Sequence, residues 1–433
     1  MPYHRSMMNS HRSTILRRCV RIVICLTVAA LLSASASAEQ IKISGSTMGT
    51  YYSVIIDGPE EASAEAIRSK IESTLEDVNR QMSTWDPQSE ISLFNEQQST
   101  DWVAVSAEFA GVVQEAKRVH RMTEGAFEPT LAPLIDLWGF GDHRPKSPPT
   151  QKAIDEARVH VGLDQIEVRI APPALKKSDP LLQLNLSAIA KGHGVDRVSE
   201  VLAENGWDAH VVDIGGENRA GKAKADGSGW RLGIESPSGG LLEILEVTET
   251  CIATSGDYRN FFEIDGVRYS HAIDPRTGRP VRNPPASVSV LHPSCMTADA
   301  LATALMVMGV ADGIAMADAN NLSALFQIIE PDGSVTEHRT GEFQKSQKAA
   351  ESGVWWVPFV AAAALFLLAI IGMAIGVLVR NRELKGSCGG LSAMAGAEGQ
   401  SVCDLCSVPK DECVNAEVRE KLAAQAESLQ GVE

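Results

Sequence analysis

An uncharged apolar run covers residues 353–379 and opens with the tryptophan pair Trp355 and Trp356. A run of this length can cross the hydrocarbon core of a bilayer as one helix, and tryptophan is enriched at membrane interfaces. Basic residues predominate directly after it, in the segment RNRELK. Because positively charged flanks tend to stay in the cytoplasm, the sequence predicts one membrane-spanning helix with a cytoplasmic C-terminal segment. A buried core helix is the alternative.

The N-terminal segment 1–38 predicts a signal peptide. Basic residues extend to Arg21, an apolar run covers 22–32, and the small residues of SASASA follow. This order is typical of a secretory signal, and we expect cleavage after Ala38; an uncleaved anchor is the alternative. The expected organisation is a signal peptide (1–38), a large domain (39–342), a linker (343–352), the membrane helix (353–379) and a tail (380–433). The large domain is then periplasmic and the protein is anchored once in the inner membrane.

Composition and periodicity predict the class of the large domain. The formal net charge of −16 argues against a nucleic-acid binder, which needs basic residues to neutralise phosphates. The spacing of Ile67, Ile71 and Leu75 is typical of a helix. Strand-like stretches such as 50–56 and 183–186 alternate with helix-like segments along the chain, and the stretch 183–186 leads into a helix. Because the order of elements shows no strict β-α repeat, we expect an α+β fold with a mixed sheet and helices.

Asp299 and Thr303 form the most informative pair of polar residues. They are four apart in an apolar segment that predicts a helix, so both side chains point to the same side. A carboxylate with a hydroxyl suits a hard cation such as Mg²⁺, which usually also contacts substrate phosphates. The pair therefore indicates phosphate-ester or pyrophosphate chemistry. The alternative is that Asp299 caps the helix and Thr303 faces a neighbouring element.

Several other stretches occur in a recognisable order. They are GSTMGTYYSV from Gly45, MSTWDPQSEIS from Met82, GAFEPTLAPLIDLWGFG from Gly125, LNLSAIAKGHGVD from Leu184, VVDIGGE from Val211, and ATSGDYRNFFEIDGVRYSHAIDPRTGRP from Ala253. Over residues 41–340 this set resembles the ApbE family of FAD:protein FMN transferases. The resemblance implies an ApbE-like α+β fold and Mg²⁺-dependent transfer of FMN from FAD to a threonine of an acceptor protein, with release of AMP.

The resemblance also implies roles for individual residues. Those expected to contact FAD are Met48, Trp85, Ala126, Phe127, Glu128, Asn185, Lys191, His271 and Ile273. Those expected to hold Mg²⁺ are Asp299, Thr303 and the backbone carbonyl of Ala188. His271 and Asp299 are the expected catalytic residues, with His271 near the reacting phosphate as a base or electrostatic partner.

Structural alternatives remain for several of these residues. Met48 and Trp85 are equally compatible with core positions, Lys191 with a solvated first-turn lysine, and His271 with a loop-stabilising role. The family usually has Asp where this chain has Asn185 and Glu128, so we expect altered contacts there.

Six of the eight cysteines lie outside the predicted signal peptide, and they fall into two groups. We expect Cys251 and Cys295, in the large domain, to be unpaired or buried. The tail contains four more: Cys388, Cys403, Cys406 and Cys413. With its GSCGGL and CDLCSVPKDEC motifs, the segment 353–413 resembles NqrM, a maturation factor of the Na⁺-translocating NADH:quinone reductase (Na⁺-NQR), which implies an iron site. A structural zinc site and free thiols are the alternatives.

Together, the two resemblances predict a membrane-anchored flavin transferase that serves Na⁺-NQR or a related electron-transfer complex. The expected partners are FAD, a reductase subunit with an acceptor threonine, and the membrane. Two alternatives stay open: an FAD pyrophosphatase that forms FMN and AMP, and a non-catalytic assembly factor that works through the cysteine tail.

Overall fold

The computed structural model describes residues 40–58, 64–140, 147–256, 261–264, 267–270, 272–282, 284–345, 362–363 and 366–367. The predicted signal peptide, His271 and the four tail cysteines lie outside these residues. Contacts divide the chain into two compact units, Met1–Glu351 and Ser352–Glu433. In the predicted membrane run, the described residues 362–363 and 366–367 are helical. The signal peptide, the membrane span and the tail site stay predictions.

The strands of the first unit, in chain order, are β1 (Gln40–Thr47), β2 (Thr50–Asp57), β3 (Val103–Ala104), β4 (Ile166–Ile170), β5 (Pro173–Lys177), β6 (His210–Ile214), β7 (Glu217–Ala220), β8 (Trp230–Glu235), β9 (Leu241–Val247), β10 (Thr250–Gly256), β11 (Phe261–Ile264), β12 (Val267–Ser270), β13 (Ile273–Asp274), β14 (Arg279–Pro280), β15 (Ser287–His292), β16 (Ser323–Ile329) and β17 (Val335–Arg339). The helices are α1 (Ala64–Met82), α2 (Glu90–Glu96), α3 (Ala107–Met122), α4 (Ala132–Trp138), α5 (Gln151–Arg158), α6 (Ser187–Glu204) and α7 (Cys295–Ala319), with a 3₁₀ turn at Leu163–Gln165.

An eight-stranded sheet organises the described part of this unit. Its strand order is β1-β2-β6-β7-β10-β15-β16-β17, and every neighbouring pair is antiparallel. A smaller sheet, β3-β5-β4, and three hairpins accompany it. The predicted α+β class is therefore confirmed.

Helices α6 and α7 pack against each other, and α7 also packs against β10 and β15. Within the described ranges, α7 is the one helix long and apolar enough to cross a membrane, yet 56% of its most apolar window is buried in the protein. A helix that is apolar on all sides is expected where neighbouring elements cover it all round. Gly309 interrupts α7 with φ 79° and ψ −178°. We conclude that α7 is the central core helix.

Helix α1 confirms the pattern that predicted it. Its periodic apolar residues are all buried: Ile67, Ile71, Leu75, Val78 and Met82. Ile67, Ile71 and Leu75 pack in a core that also contains residues of β1, β2, β6 and α6, and Met82 packs in the larger core cluster. Burying this stripe removes apolar surface from water and fixes α1 against the sheet.

The predicted strand at 183–186 is wrong, because this segment has no regular structure. The side-chain amide of Asn95 satisfies both backbone groups of Leu184: Asn95 Oδ1 accepts from Leu184 N at 2.7 Å, and Asn95 Nδ2 donates to Leu184 O at 2.8 Å. The N–H of Asn185 donates to the carbonyl of Pro129 at 2.7 Å. A side chain and a loop thus take the place that a neighbouring strand would occupy.

Candidate active site

A cavity of about 900 Å³ lies between the helices α6 and α7 and the strands β2, β6, β8 and β10. Nine of the residues predicted from the sequence line it: Ala126, Phe127, Glu128, Asn185, Ala188, Lys191, Ile273, Asp299 and Thr303. These residues come from four separate stretches of the chain, so the fold brings together most of the predicted site. Its size suits a large organic ligand, since typical ligand pockets have ~300–1,000 Å³.

Asp299 lies one turn inside α7, with 6% of the residue exposed. The helix is capped by Ser294, whose Oγ accepts a hydrogen bond from Thr297 N at 3.3 Å, so the capping alternative for Asp299 does not hold. Asp299 Oδ2 accepts a hydrogen bond from Gly192 N at 3.0 Å. In the described part of the chain, neither Asp299 Oδ1 nor Thr303 Oγ1 has a hydrogen-bond partner, although both residues line the cavity. Two oxygens on one side of α7 are therefore free to bind a ligand.

A glycine allows the close contact between α6 and α7. A Cβ atom at Gly192 would lie 2.3 Å from the carbonyl oxygen of Cys295 and 2.9 Å from Cβ of Asp299. Only a residue without a side chain fits there, because the nearest atom belongs to the backbone of α7. The AKGHG sequence thus brings the first turns of α6 next to Asp299.

Asp196 holds the start of α7. Its Oδ1 accepts from Cys295 N at 3.0 Å and from Arg219 Nη1 at 2.6 Å. Its Oδ2 accepts from Met296 N at 3.0 Å and from Ser294 Oγ at 2.9 Å. A buried carboxylate at a helix N-terminus satisfies backbone N–H groups and interacts favourably with the helix dipole. This contact orients the helix that presents Asp299.

Glu217, for which the sequence predicted no role, lies in the cavity wall with 2% of the residue exposed. Its Oε2 lies 2.5 Å from Lys191 Nζ. Burial, and then the nearby Asp299 carboxylate, raise the pKa of Glu217, whereas the charge and hydrogen bond of Lys191 favour the ionised carboxylate. Burial also raises the pKa of Asp299, against the opposing effect of Lys191. The Lys191 pKa rises despite its burial, because Glu217 and Asp299 favour the ammonium. A glutamate directly after the Gly215-Gly216 turn was the available sequence signal.

Asp213 adds a further carboxylate to the cavity wall. Its Oδ1 accepts from Gly216 N at 2.9 Å, and burial raises its pKa. The pKa of Tyr51 is also raised, by burial and by the neighbouring Asp213. The wall thus contains several carboxylates around the Lys191 ammonium, an arrangement that favours an added cation.

Asn185 and Glu128, which differ from the family's usual Asp, both have hydrogen bonds within the protein. Asn185 Oδ1 accepts from Ser187 N at 3.0 Å at the start of α6. The Glu128 carboxylate accepts from Thr130 N at 3.0 Å, from Thr130 Oγ1 at 2.6 Å and from Leu163 N at 3.0 Å. The two side chains therefore shape the loops that border the cavity.

Two predicted FAD contacts lie outside the cavity lining. Met48 is partly buried, with φ 50°, and packs against two core clusters. Trp85 is 89% exposed. His271 lies outside the described residues. Cys251 and Cys295 are buried and free, in agreement with the expectation from the sequence.

The donor set near Asp299 is compatible with Mg²⁺. No group of three or more His, Cys, Asp or Glu residues suited to a metal occurs among the residues that the structure describes. Asp299, Thr303 and the Ala188 carbonyl would instead supply oxygen ligands only. Mg²⁺ is commonly bound by one or two carboxylates with water and substrate phosphates completing its shell, so this sparse set fits.

Comparisons with known proteins show which families this chain resembles. The ApbE family matches residues 48–326, and the family described as (Na⁺)-NQR maturation NqrM matches residues 377–427. The FAD:protein FMN transferase of Vibrio cholerae is 45% identical over 71% of this chain and 92% of its own length. The protein of the same name from Haemophilus influenzae is 38% identical over 75% of this chain and 98% of its own length.

Solved structures show the same fold. The structure of the flavin transferase ApbE from Vibrio cholerae has a TM-score of 0.65 at 43% identity, covering 71% of this chain and 99% of that one. The Pseudomonas stutzeri flavinyl transferase ApbE has a TM-score of 0.65 at 35% identity, covering 71% and 96%. Both resemblances stated from the sequence are confirmed, and the chain belongs to the ApbE family.

Proposed function

We propose that this protein is an FAD:protein FMN transferase that uses Mg²⁺ to transfer FMN to a threonine of an acceptor protein and releases AMP. The observation that carries the proposal is the placement of Asp299 and Thr303. Their unengaged oxygens face a cavity of about 900 Å³ that also contains Lys191. Relatives with the transferase name match this chain over nearly their whole length, which supports the activity.

The proposed reaction breaks one phosphoanhydride bond and forms one phosphoester bond. The acceptor hydroxyl attacks the phosphorus that bears FMN, and AMP leaves with the bridging oxygen and its electron pair. The hydroxyl proton passes to a base, for which His271 is the candidate from the sequence resemblance. A bound Mg²⁺ would neutralise phosphate charge and polarise the phosphorus.

The chain's own groups would position this reaction. Asp299 Oδ1, Thr303 Oγ1 and the Ala188 carbonyl would hold the cation. In an ideal helix the N–H of Gly192 donates to the carbonyl of Ala188. Here this N–H donates to Asp299 Oδ2, so the Ala188 carbonyl at most shares it. The Lys191 ammonium lies in the cavity wall, where it would stabilise phosphate charge.

The proposed setting is a catalytic domain on the periplasmic side of the inner membrane, anchored by the helix at 353–379. The NqrM match supports a subunit of Na⁺-NQR or a related complex as acceptor. On this proposal the tail cysteines, Cys388, Cys403, Cys406 and Cys413, bind iron in the cytoplasm.

An in-gel assay tests the activity. The full chain is incubated with FAD, MgCl₂ and a soluble acceptor domain of a reductase subunit, and the denaturing gel is viewed under ultraviolet light. We expect a fluorescent acceptor band that disappears with EDTA and with Asp299→Ala. Glu156→Ala, which removes a carboxylate exposed on α5, is the control and should retain the band.

Other outcomes select the alternatives. Release of FMN and AMP without labelling of the acceptor would assign the cavity to FAD hydrolysis, with water in place of the threonine. Recovery of intact FAD in the presence of a competent acceptor would contradict the transferase and leave the non-catalytic assembly role.

A further inference from the structure

Two carboxylates act on the Lys191 ammonium, but it is hydrogen-bonded to only one of them in the described structure. Its Nζ is 2.5 Å from Glu217 Oε2, whereas Asp299 receives its hydrogen bond from Gly192 N. Asp299 is nevertheless close enough to act on the ammonium electrostatically. Both acids are buried, Glu217 with 2% and Asp299 with 6% of the residue exposed. Each carboxylate therefore attracts the same cation in a setting with little water.

The side chain of Glu217 is more enclosed than that of Lys191, with 2% against 31% of the side chain exposed. Glu217 begins β7 directly after the Gly215-Gly216 turn, and a Cβ atom at Gly215 would lie 2.7 Å from Thr50 Cγ2. Lysine, in contrast, has a flexible four-carbon stem and a compact charge that can move between partners. The ammonium can therefore change partner more easily than the Glu217 carboxylate can move.

Asp299 Oδ1 is the alternative partner for this ammonium. It accepts no hydrogen bond from the described residues, and the cavity gives access to it. An ammonium bound there would fill the position that a divalent cation needs and would repel that cation. Lys191 therefore competes with a metal for Asp299 unless another acid holds it.

We propose that Glu217 is a positioning residue that holds the Lys191 ammonium away from Asp299, so that Asp299 stays open to a divalent cation while the ammonium faces the substrate phosphates. The phosphate contact rests on the proposed function. The cation half requires neither FAD nor an acceptor.

Binding of Mn²⁺ alone, followed by electron paramagnetic resonance, tests the cation half on the full chain. We expect Glu217→Gln to weaken Mn²⁺ binding by about tenfold, since the released ammonium must be displaced from Asp299. Adding Lys191→Met to that variant should restore binding to within about threefold of wild type. Glu167→Gln breaks a comparable but exposed pair, in which Lys176 Nζ lies 3.0 Å from Glu167 Oε1, and should leave binding unchanged.

Two further variants separate positioning from the simple loss of a negative charge. Glu217→Asp keeps the charge but shortens the side chain, so positioning predicts intermediate binding whereas a charge effect alone predicts wild-type binding. In a crystal structure of Glu217→Gln, we expect Lys191 Nζ within about 3 Å of Asp299 Oδ1. An ammonium that remains beside residue 217, or unchanged Mn²⁺ binding, would overturn the proposal. If Glu217→Gln does not fold, Glu217→Asp replaces it in both measurements.

Transfer kinetics distinguish this proposal from the proposed function. With wild type active, Glu217→Gln should need about tenfold more Mg²⁺ for half-maximal rate and recover at high Mg²⁺. A merely structural defect would lower thermal stability and would not be rescued by Mg²⁺. If wild type transfers no FMN, the proposed function fails, while the Mn²⁺ and crystallographic results still decide the role of Glu217.

Discussion

The backbone N–H of Gly192 donates a hydrogen bond to Oδ2 of Asp299 across the contact between α6 and α7, with an N···O distance of 3.0 Å. The bond joins residues 107 positions apart and fixes one oxygen of a buried carboxylate. The other oxygen is left to the cavity. Helix packing and the proposed cation binding by Asp299 therefore depend on the same contact.

Gly192→Ala should disrupt this contact. The added methyl group would lie 2.3 Å from the Cys295 carbonyl oxygen, so α6 and α7 must separate. We expect the free energy of unfolding to fall by about 1–3 kcal/mol, the usual range for overpacking. Flavin transfer should fall further than stability, because Asp299 moves with α7. Urea denaturation and the in-gel assay measure the two effects.

Gly111→Ala is the matched control. Gly111 lies within α3, and apart from the adjacent residues and backbone of its own helix, a Cβ atom there would have no atom within 4 Å. Alanine should stabilise this helix by about 0.5–1 kcal/mol and leave transfer unchanged. Equal stabilities of the two alanine variants would contradict the packing argument.

Asp196→Asn should destabilise the start of α7. The amide keeps the size of the side chain but removes the charge that pairs with Arg219 Nη1 at 2.6 Å, and its NH₂ group replaces an acceptor. Removing one member of a buried charge pair typically costs about 3–5 kcal/mol; we expect the lower end because Arg219 Nη1 also donates to the Pro293 carbonyl. Chemical denaturation measures the loss. Arg197→Gln, which breaks an exposed pair with Glu200, should change stability by less than about 1 kcal/mol.

His193 should make the protein sensitive to acid. Burial lowers its pKa from 6.5 to about 4, with Asp196 and Glu108 opposing this shift and Arg197 adding to it. Above pH 6.5 the imidazole is neutral in both states and has no effect. As the pH falls from 6.5 to 4, the unfolded chain is protonated before the folded protein. The free energy of unfolding therefore decreases over this range by about 3 kcal/mol in total.

His193→Leu tests this pH dependence. Nε2 of His193 has no hydrogen-bond partner in the described structure, so leucine removes the titration without breaking a bond to that atom. Unfolding free energies measured from pH 7.5 to 4 should show a smaller decline in the variant, by about 3 kcal/mol. Parallel curves for the two proteins would rule out His193 as the source.

Sequence patterns predicted the features that depend only on residues close together in the chain. The stripe in α1 and the i, i+4 relationship of Asp299 and Thr303 need only helical periodicity. The contact of Glu217 with Lys191 joins residues 26 apart, and that of Asp196 with Cys295 joins residues 99 apart. Such contacts depend on which strands and helices become neighbours, which periodicity does not determine.

The same limit explains the wrong strand at 183–186. Its alternating apolar residues are buried, as in a strand, but the partner of Leu184 is the amide of Asn95, 89 residues earlier. For Asn185 and Glu128, the sequence predicted contacts with FAD, and these stay predictions. The sequence did not reveal that both side chains contact the protein's own loops.

Asp299→Asn should separate stability from activity. Burial raises the pKa of Asp299, so the ionised carboxylate lowers the free energy of unfolding at neutral pH. This cost disappears as the pH falls toward the ordinary pKa of an aspartate, where the group is protonated. Asparagine removes this cost and can still accept the hydrogen bond from Gly192. We expect equal or higher thermal stability at pH 7.5 with transfer reduced at least about 100-fold, a trade-off common at functional sites.

Thermal melting with and without Mg²⁺ provides the second readout for this variant. A cation that binds only the folded state raises the melting temperature, so wild type should melt higher in Mg²⁺ and Asp299→Asn should not respond. Asp312→Asn makes the same change at an exposed position of the same helix and should respond like wild type. A Mg²⁺ response retained by Asp299→Asn would place the cation elsewhere and remove the basis for the proposed role of Asp299.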